Sequence, residues 1–501
     1  MALHLPDLPL QRVRRGLEPP ASGADARPLA VVAEGRIACC DRAARAAGVR
    51  RGATVAEALA ACGRLATVPL DAAADLAALR ALAEALLALA PAVEVSAPDA
   101  LLLDAAAAHL LAPRGAPAED GERVLARRAI AVAAEIGWTA RAAVATGRAP
   151  ARALAAHASE DVVAVAPGAT ARALGPLSLG ALGLPPPVVE RLAGLGVRDA
   201  AALARLPAGV LAHRFGPAGV AAARLARGED ASPLVPYVPE ALPEEALELE
   251  APAASAEPLL FALKRLADRV AARLAGRGLG ATRLRIVLRL DPRGEERILA
   301  PLASPSAAVA RWLLPLKEHL FSMRLPGAVT GLRLAAIEVA PVAPEQLAIG
   351  DRPEALAALE GVLSRLAVRL GDGALFAAEA VERHRPEGAY RAVPFRPAGS
   401  ARGGPAGAVN GTAEPLPRPT RLLAAPVRIV AEGEGGRVTA LRLDGRARAV
   451  VAMDGPERLR GEWWAGGFDR DYYRVRLEGL GDCWVFRDGG DGRLYLHGFF
   501  D

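Results

Sequence analysis

The segment Pro91–Leu111, PAVEVSAPDALLLDAAAAHLL, constrains this chain more than any other stretch. It reads as a short strand carrying Val93 and Val95, a turn at Ala97-Pro98-Asp99, and a second strand from Leu101 to Leu103 closed by Asp104. A hairpin this apolar belongs in a protein interior. Nucleotidyl transfer uses clustered acids on such a hairpin, where they hold two metal ions about 3.5–4 Å apart. Here Asp99 is followed by Ala100, and Asp104 comes later on the same strand. By alternation, positions 99, 101 and 103 share a face and position 104 opposes them.

A chain of 501 residues divides into several domains. At 52% hydrophobic and 23% charged it is globular. Of 61 basic residues only Lys264 and Lys317 are lysine. The abundance of Ala, Arg, Gly and Pro has the mark of a GC-rich genome, so arginine alone says little about phosphate. The net charge of +5 and pI near 9.3 permit a nucleic-acid partner without demanding one. Cys39, Cys40, Cys62 and Cys483 form no C-x-x-C pair, which argues against zinc and fits a reducing cytosol. The chain shows neither a signal-peptide pattern nor an uncharged apolar run of about 18 residues, so a cytoplasmic protein without a membrane span is expected.

Met1–Arg15 reads as a strand entering a turn, with Asp7 between Pro6 and Pro9 as a turn cap. Ile37–Cys40 is a short strand leading through Asp41 into a helix that stops at Gly48. A basic turn, Arg50-Arg51-Gly52, precedes a helix with Thr54 as N-cap and Glu57 at the capping-box position. Helices are expected over 72–90, 122–135 and 148–157, and a strand over 140–145. This alternation through about residue 165 predicts an α/β or α+β layer structure.

From Pro176 to Arg227 the pattern is helical with Gly/Pro turns. A tight turn at Gly194-Leu195-Gly196 can present backbone N–H groups to a phosphate. An ordinary helical bundle fits the spacing equally well. Residues 252–340 predict a helix and a sheet. Within it Leu284, Ile286, Leu288 and Leu290 face one way, and Arg283, Arg285 and Arg289 the other. That second face is either a platform for a phosphate backbone or a solvated surface. Residues 341–350 are extended, 351–370 helical, and 394–420 a Pro/Gly/Ala-rich linker. Residues 421–501 alternate in the β manner and hold Trp463, Trp464 and Trp484, which suits a compact barrel. The Trp463-Trp464 pair serves either as a docking surface or as part of that barrel's core.

The order of these parts resembles the Y-family translesion DNA polymerases. ARAAGVRRG (Ala44–Gly52) is similar to the family's fingers, VEVSAPDALLLD (Val93–Asp104) to its palm hairpin, and LAGLGVRDAAALARLPAGVLAHRFG (Leu192–Gly216) to its thumb. The resemblance implies an α+β right hand plus a small β-rich C-terminal domain. Its parts are a palm over 1–165 with fingers inserted at about 20–70, a helix–hairpin–helix thumb over 166–235 and a little finger over 240–340. A helical extension with a clamp motif (341–393), a linker (394–420) and a β-rich domain (421–501) follow.

The departures bear on activity. The family carries an Asp at the end of its first strand, an Asp-Glu pair on the hairpin and an aromatic gate. Here Pro6 replaces the first Asp, with Asp7 one place off. Asp99 matches, Ala100 stands where the Glu belongs, and Leu8-Pro9-Leu10 lacks the aromatic. The resemblance therefore implies a polymerase fold without catalytic residues, metal or cofactor. Mg²⁺ enters only under the alternative of an active polymerase that uses Asp7 and Asp99, with Asp104 as a further ligand.

HLPDLPLQR near the start, HRPEGAYR (His384–Arg391) and the ending LYLHGFF are similar to the ImuB family, a non-catalytic branch found in bacterial inducible mutagenesis cassettes. That likeness implies an adaptor in SOS-induced translesion synthesis and DNA repair. Its partners would be DNA, the sliding clamp, an ImuA-type RecA-like protein and an error-prone DnaE-type polymerase. The clamp contact would fall to Gln346, Leu347 and Ile349, which lack the family's aromatic anchor. DNA would meet Arg283, Arg285 and Arg289, and the thumb turn at Gly194 and Gly196.

Overall fold

The first strand, β1 (Ala2–His4), leads into a helix, α1 (Leu8–Arg15), where the sequence pattern suggests only a turn. Pro9 lies in the first helical turn, where a missing N–H is harmless and a fixed φ is helpful. Asp7 is the N-cap in left-handed conformation (φ 47°), and its carbonyl accepts from the amides of Leu10 and Gln11. The computed structural model describes residues 1–17, 27–112, 118–230, 232–292 and 294–342, and single positions between 359 and 370. It further describes 374–394 apart from 382 and 384, and 418–434, 437–443 and 445–500. These fall into two compact units, Met1–Asp372 and Gly373–Asp501.

In the first unit β2 (Leu29–Ala33), β3 (Arg36–Cys40), α2 (Arg42–Ala46), α3 (Val55–Ala61) and β4 (Ala66–Pro69) make the small finger subdomain. Its sheet runs β3-β2-β4. The capping box is formed: Thr54 Oγ1 accepts the Glu57 amide, and the Glu57 carboxylate accepts the Thr54 amide. There follow α4 (Ala72–Leu86), β5 (Val93–Ser96), β6 (Ala100–Leu103), α5 (Ala118–Glu135), β7 (Arg141–Val144), α6 (Arg148–His157) and β8 (Val162–Ala164).

The palm sheet has the order β5-β6-β1-β7-β8. β1 is antiparallel to both β6 and β7, so the hairpin's second strand is central and must be apolar on both faces. Leu3, Leu5, Leu101 and Leu103 pack against Leu79, Leu82 and Leu86 of α4 and against α5. Ala2, Leu102 and Ala143 face the other way, toward α6 and the thumb helices. Those helices are α7 (Thr170–Leu174), α8 (Pro186–Gly194), α9 (Ala200–Ala204) and α10 (Ala208–Ala226), the last interrupted at Gly216.

The little finger comprises β9 (Glu244–Ala253), α11 (Ala256–Gly276), β10 (Leu279–Asp291), β11 (Glu295–Ser306), α12 (Val309–Ser322) and β12 (Ala328–Pro341). Its strands lie in the order β11-β10-β12-β9. Leu284, Ile286 and Leu288 point into a core with α11 and with Trp312, Leu316 and Leu320 of α12. β9 extends the sheet to the N-terminal side of the unit read over 252–340. Its glutamates Glu244, Glu245, Glu248 and Glu250, between Pro243 and Pro252, give it the look of a solvated loop. The first unit is thus an α+β right hand of palm, fingers, thumb and little finger, and a β-rich unit follows it in the chain.

That second unit carries a hairpin, β13 (Phe376–Ala380) with β14 (Tyr390–Pro394), and a closed barrel. The barrel strands are β15 (Arg421–Glu434), β16 (Arg437–Leu443), β17 (Arg446–Gly461), β18 (Phe468–Leu477), β19 (Gly481–Asp488) and β20 (Leu494–Phe499). Each pairs with the next, and β20 returns to β15. Placed with a helical extension by sequence, the hairpin instead docks on the barrel. Glu387 in its loop binds Arg470 (3.0 Å), and Arg385 donates to the Gly467 carbonyl (2.9 Å). Tyr472, Trp484 and Phe486 are buried there, whereas Trp463 and Trp464 are 83% and 68% exposed. The pair is therefore not part of the barrel core. Among the described residues no helix is long and apolar enough to cross a membrane.

Candidate functional site

The hairpin turn delivers Asp99 to the end of the palm sheet where β1 also ends. The register is set by His4 opposite Ala100, and by the Leu5 amide donating to the Asp99 carbonyl (2.8 Å). Ala100 is fully buried, so the missing acid leaves a packed methyl beside His4. Arg152 reaches the turn from α6, donating through Nη2 to the Ala97 carbonyl (3.0 Å) and to Asp99 Oδ1 (3.2 Å). His4 Nδ1 lies 3.8 Å from the same carboxylate, an ion-pair distance rather than a hydrogen bond. Burial pushes the Asp99 carboxyl up, but His4 and Arg152 outweigh it and hold the group below the ordinary carboxylate value. Burial, and then the neighbouring His4, holds the His157 imidazole low.

The other two acids are elsewhere. Asp7 points to the fingers, where Arg45 Nη1 approaches its Oδ2 at 3.7 Å. Asp104 stands at the far end of β6, accepting the Ala106 amide (2.8 Å). The four residues of β6 lie between it and Asp99, so five steps at ~3.3 Å per residue put the two about 16 Å apart. Among the described residues no three His, Cys, Asp or Glu side chains are grouped to hold a metal ion. The side chains present do not fit a pair of Mg²⁺ ions. Asp7 and Asp99 each face a guanidinium, and Ala100 offers no donor.

Sequence reasoning missed His4, Arg45 and Arg152. A signal existed for the last: Arg148 and Arg152 are four apart on a helix whose intervening Ala151 is buried, which puts both on the face near the sheet. Arg148 accordingly pairs with Glu94 of β5.

The thumb turn needs a correction. Gly194 closes α8, and Gly196 takes the left-handed conformation (φ 83°) that favours glycine. The amides of Leu195, Gly196 and Val197 donate to the carbonyls of Leu192 and Ala193, at 2.9–3.0 Å. At the start of α9 the Ala202 amide donates to Asp199 Oδ1 (2.7 Å). The turn therefore does not offer the free N–H groups that a phosphate nest requires. Its glycines end a helix.

The little-finger face also differs from a bare basic platform. Arg283 meets Glu338 (3.3 Å), Arg285 meets Glu244 (3.2 Å) and Arg289 meets Glu248. Two of these acids come from β9, the strand that was not read. Gly331 lies between Arg289 and Glu248 in the sheet, and a Cβ there would crowd Glu248 Oε2 at 3.1 Å. Arg333 adds a further pair with Glu295 (2.6 Å). All these residues are partly or well exposed, so the face is a mixed-charge lattice open to solvent. Gln346, Leu347 and Ile349 lie outside the described residues.

Residues 19–159 match the impB/mucB/samB family. Over 478 residues the chain is 31% identical to Protein ImuB of Caulobacter vibrioides (strain NA1000 / CB15N), covering 90% of this chain and all of that one. The same values hold for Protein ImuB of strain ATCC 19089 / CIP 103742 / CB 15. A ternary complex of Dbh is 15% identical with a TM-score of 0.39, over 68% of this chain and 99% of that one. DinB from Sulfolobus solfataricus is 16% identical with a TM-score of 0.38, over 67% of this chain and 97% of that one.

Proposed function

The chain belongs to the ImuB family, and from that premise we propose that it is a non-catalytic, DNA-binding adaptor for error-prone translesion synthesis. The observation that carries this reading is the pairing of Asp99 with Arg152 and His4, next to a buried Ala100. A guanidinium already neutralises the surviving acid, so a metal ion would have to displace it while gaining no second carboxylate. In this role the chain works in the cytoplasm during the SOS response to DNA damage. It holds the sliding clamp, an ImuA-type partner and a DnaE-type polymerase together on DNA, and the polymerase performs the synthesis.

DNA meets the little-finger sheet through Arg283, Arg285 and Arg289. Their glutamate partners are exposed, and such pairs exchange for phosphate at little cost. Gly194 and Gly196 contribute by shaping the thumb turn rather than by donating N–H groups. Gln346, Leu347 and Ile349 form the clamp contact, placed just after the little finger.

Primer extension by the purified full-length chain with Mg²⁺ or Mn²⁺ tests the central claim. No templated synthesis is expected. Robust synthesis abolished by Asp99→Ala would overturn the reading in favour of an active polymerase with altered ligands. Clamp pull-down with Gln346→Ala and Leu347→Ala tests the partner contact, and undiminished recovery would remove it from the proposal.

A further inference from the structure

Palm and little finger share a buried seam that catalysis does not account for. Helix α11 of the little finger crosses α4 of the palm at backbone contact. A Cβ added at Gly276 would lie 1.8 Å from the Glu84 carbonyl oxygen and 3.0 Å from that of Ala85. A glycine is required there for the two helices to touch.

Charged groups close around that crossing. The Glu84 side chain is almost wholly buried and receives Arg273 in two parallel bonds, Nε to Oε2 and Nη2 to Oε1, both 3.1 Å. Tyr237 OH donates to Glu84 Oε1 (3.3 Å), and Arg277 approaches Oε2 at 3.7 Å. Arg273 Nη1 continues to Glu245 Oε1 on β9 (3.1 Å), whose other oxygen takes Arg15 Nη1 from α1 (3.3 Å). Arg15 also donates to the Ile136 carbonyl (2.8 Å) and stacks 4.8 Å over the Trp138 ring. Arg269, 3% exposed, donates to the Arg15 carbonyl at 2.7 Å. The relay thus leaves the palm at Glu84, runs through Arg273 and Glu245 of the little finger, and returns to the palm at Arg15.

The segment that joins thumb to little finger is also fastened to the palm. The Tyr237 amide donates to the Val93 carbonyl (2.7 Å), the Val235 amide to Glu94 Oε2 (2.7 Å), and Arg148 to the Pro233 carbonyl (2.8 Å). On the other flank the Glu248 amide donates to the Gly16 carbonyl (3.0 Å). A tether bound along its length cannot act as a free hinge.

We infer that palm and little finger form a single locked body, clamped at the α4–α11 crossing by the Arg273–Glu84 and Glu245–Arg15 relay. The little-finger sheet is thereby held in one orientation to the palm. The open sheet face lies opposite α11, so the lock leaves it accessible. The lock does not depend on the role proposed above.

The test is a distance measurement on the full chain by pulsed electron resonance. Nitroxides are placed at exposed positions through Ala73→Cys on α4 and Ala310→Cys on α12, the native cysteines being buried. The unmodified seam is expected to give one narrow distance. Gly276→Leu should broaden it or split it into two populations, while Ala275→Leu, which places the same side chain on the exposed side, should leave it narrow. If Gly276→Leu fails to fold, Arg273→Gln serves in its place, with the expected result the same. A broad or two-peaked distribution in the parent chain overturns the inference. A seam variant as narrow as the parent does so too.

Discussion

The little-finger sheet and the palm seam use the same chemistry, arginine against glutamate, to opposite ends. On the sheet, Arg285–Glu244 and Arg289–Glu248 stand about half exposed, and water and salt screen them. In the seam, Arg273–Glu84 and Arg15–Glu245 are shielded from water on both sides. An exposed pair contributes roughly 0–1 kcal/mol and can be traded for another partner. A buried pair adds little net attraction, but breaking it strands a desolvated charge at about 3–5 kcal/mol. The sheet can therefore release its arginines to a phosphate backbone, and the seam cannot release its own. Neighbouring glutamates on β9 serve both regions: Glu244 points to the open face, Glu245 into the seam.

Removing Glu84 should produce the largest effect. Glu84→Ala leaves Arg273 without its bidentate acceptor, so a loss of about 3–5 kcal/mol is expected in urea unfolding. A midpoint equal to the parent's would break the contrast. Gly276→Ala forces α11 away from α4 and should cost about 1–3 kcal/mol by overpacking. Thermal unfolding reads this directly, and an unchanged melting temperature would mean the helices are not in backbone contact.

On the open face the expected stability changes shrink and the binding changes take over. Replacing Glu244, Glu248 and Glu338 together by glutamine should alter stability by no more than about 1 kcal/mol per pair. DNA affinity should rise, because the freed arginines add to counterion release and steepen the salt slope. Replacing Arg283, Arg285 and Arg289 by glutamine should do the reverse. Fluorescence anisotropy over a salt series measures both sets. Equal slopes in the two would mean DNA binds elsewhere.

The smallest effect belongs to Asp99. Its folded-state pKa is depressed despite burial, by His4 and Arg152. Its contribution to stability is complete above the unfolded carboxyl value of about 3.9. As pH falls below that, the unfolded chain takes up a proton while the folded one does not, and stability drops until the folded value is passed. Asp99→Asn should remove this acid-side loss and leave the neutral-pH profile shape intact. Parallel curves for parent and variant below about pH 4 would mean that His4 and Arg152 do not hold the group.

Much of the palm and fingers was legible because their signals are local. The apolar hairpin, the Thr54–Glu57 box and the Gly48 stop each involve residues a few positions apart, and the structure forms them as read. The α1 helix was not legible, since Pro6 and Pro9 look like breaks until one of them is known to sit in a first turn. Nor was β9, whose glutamates belong in a strand only because arginines of β10 and α11 await them. The thumb turn shows the converse error. Its glycines suggest free amides, but which carbonyl captures an amide depends on the three-dimensional path of the turn.

By itself the sequence determined that a buried hairpin carries Asp99 beside an alanine. Side-chain identity and period-two alternation suffice for that. Only the tertiary structure decided what surrounds the survivor. Arg152 lies fifty-three residues from Asp99, and Arg273 lies 189 residues from Glu84. Contacts over such separations leave no periodic trace in the chain. They exist because close packing brings distant segments together, and a buried charge must then find its partner there.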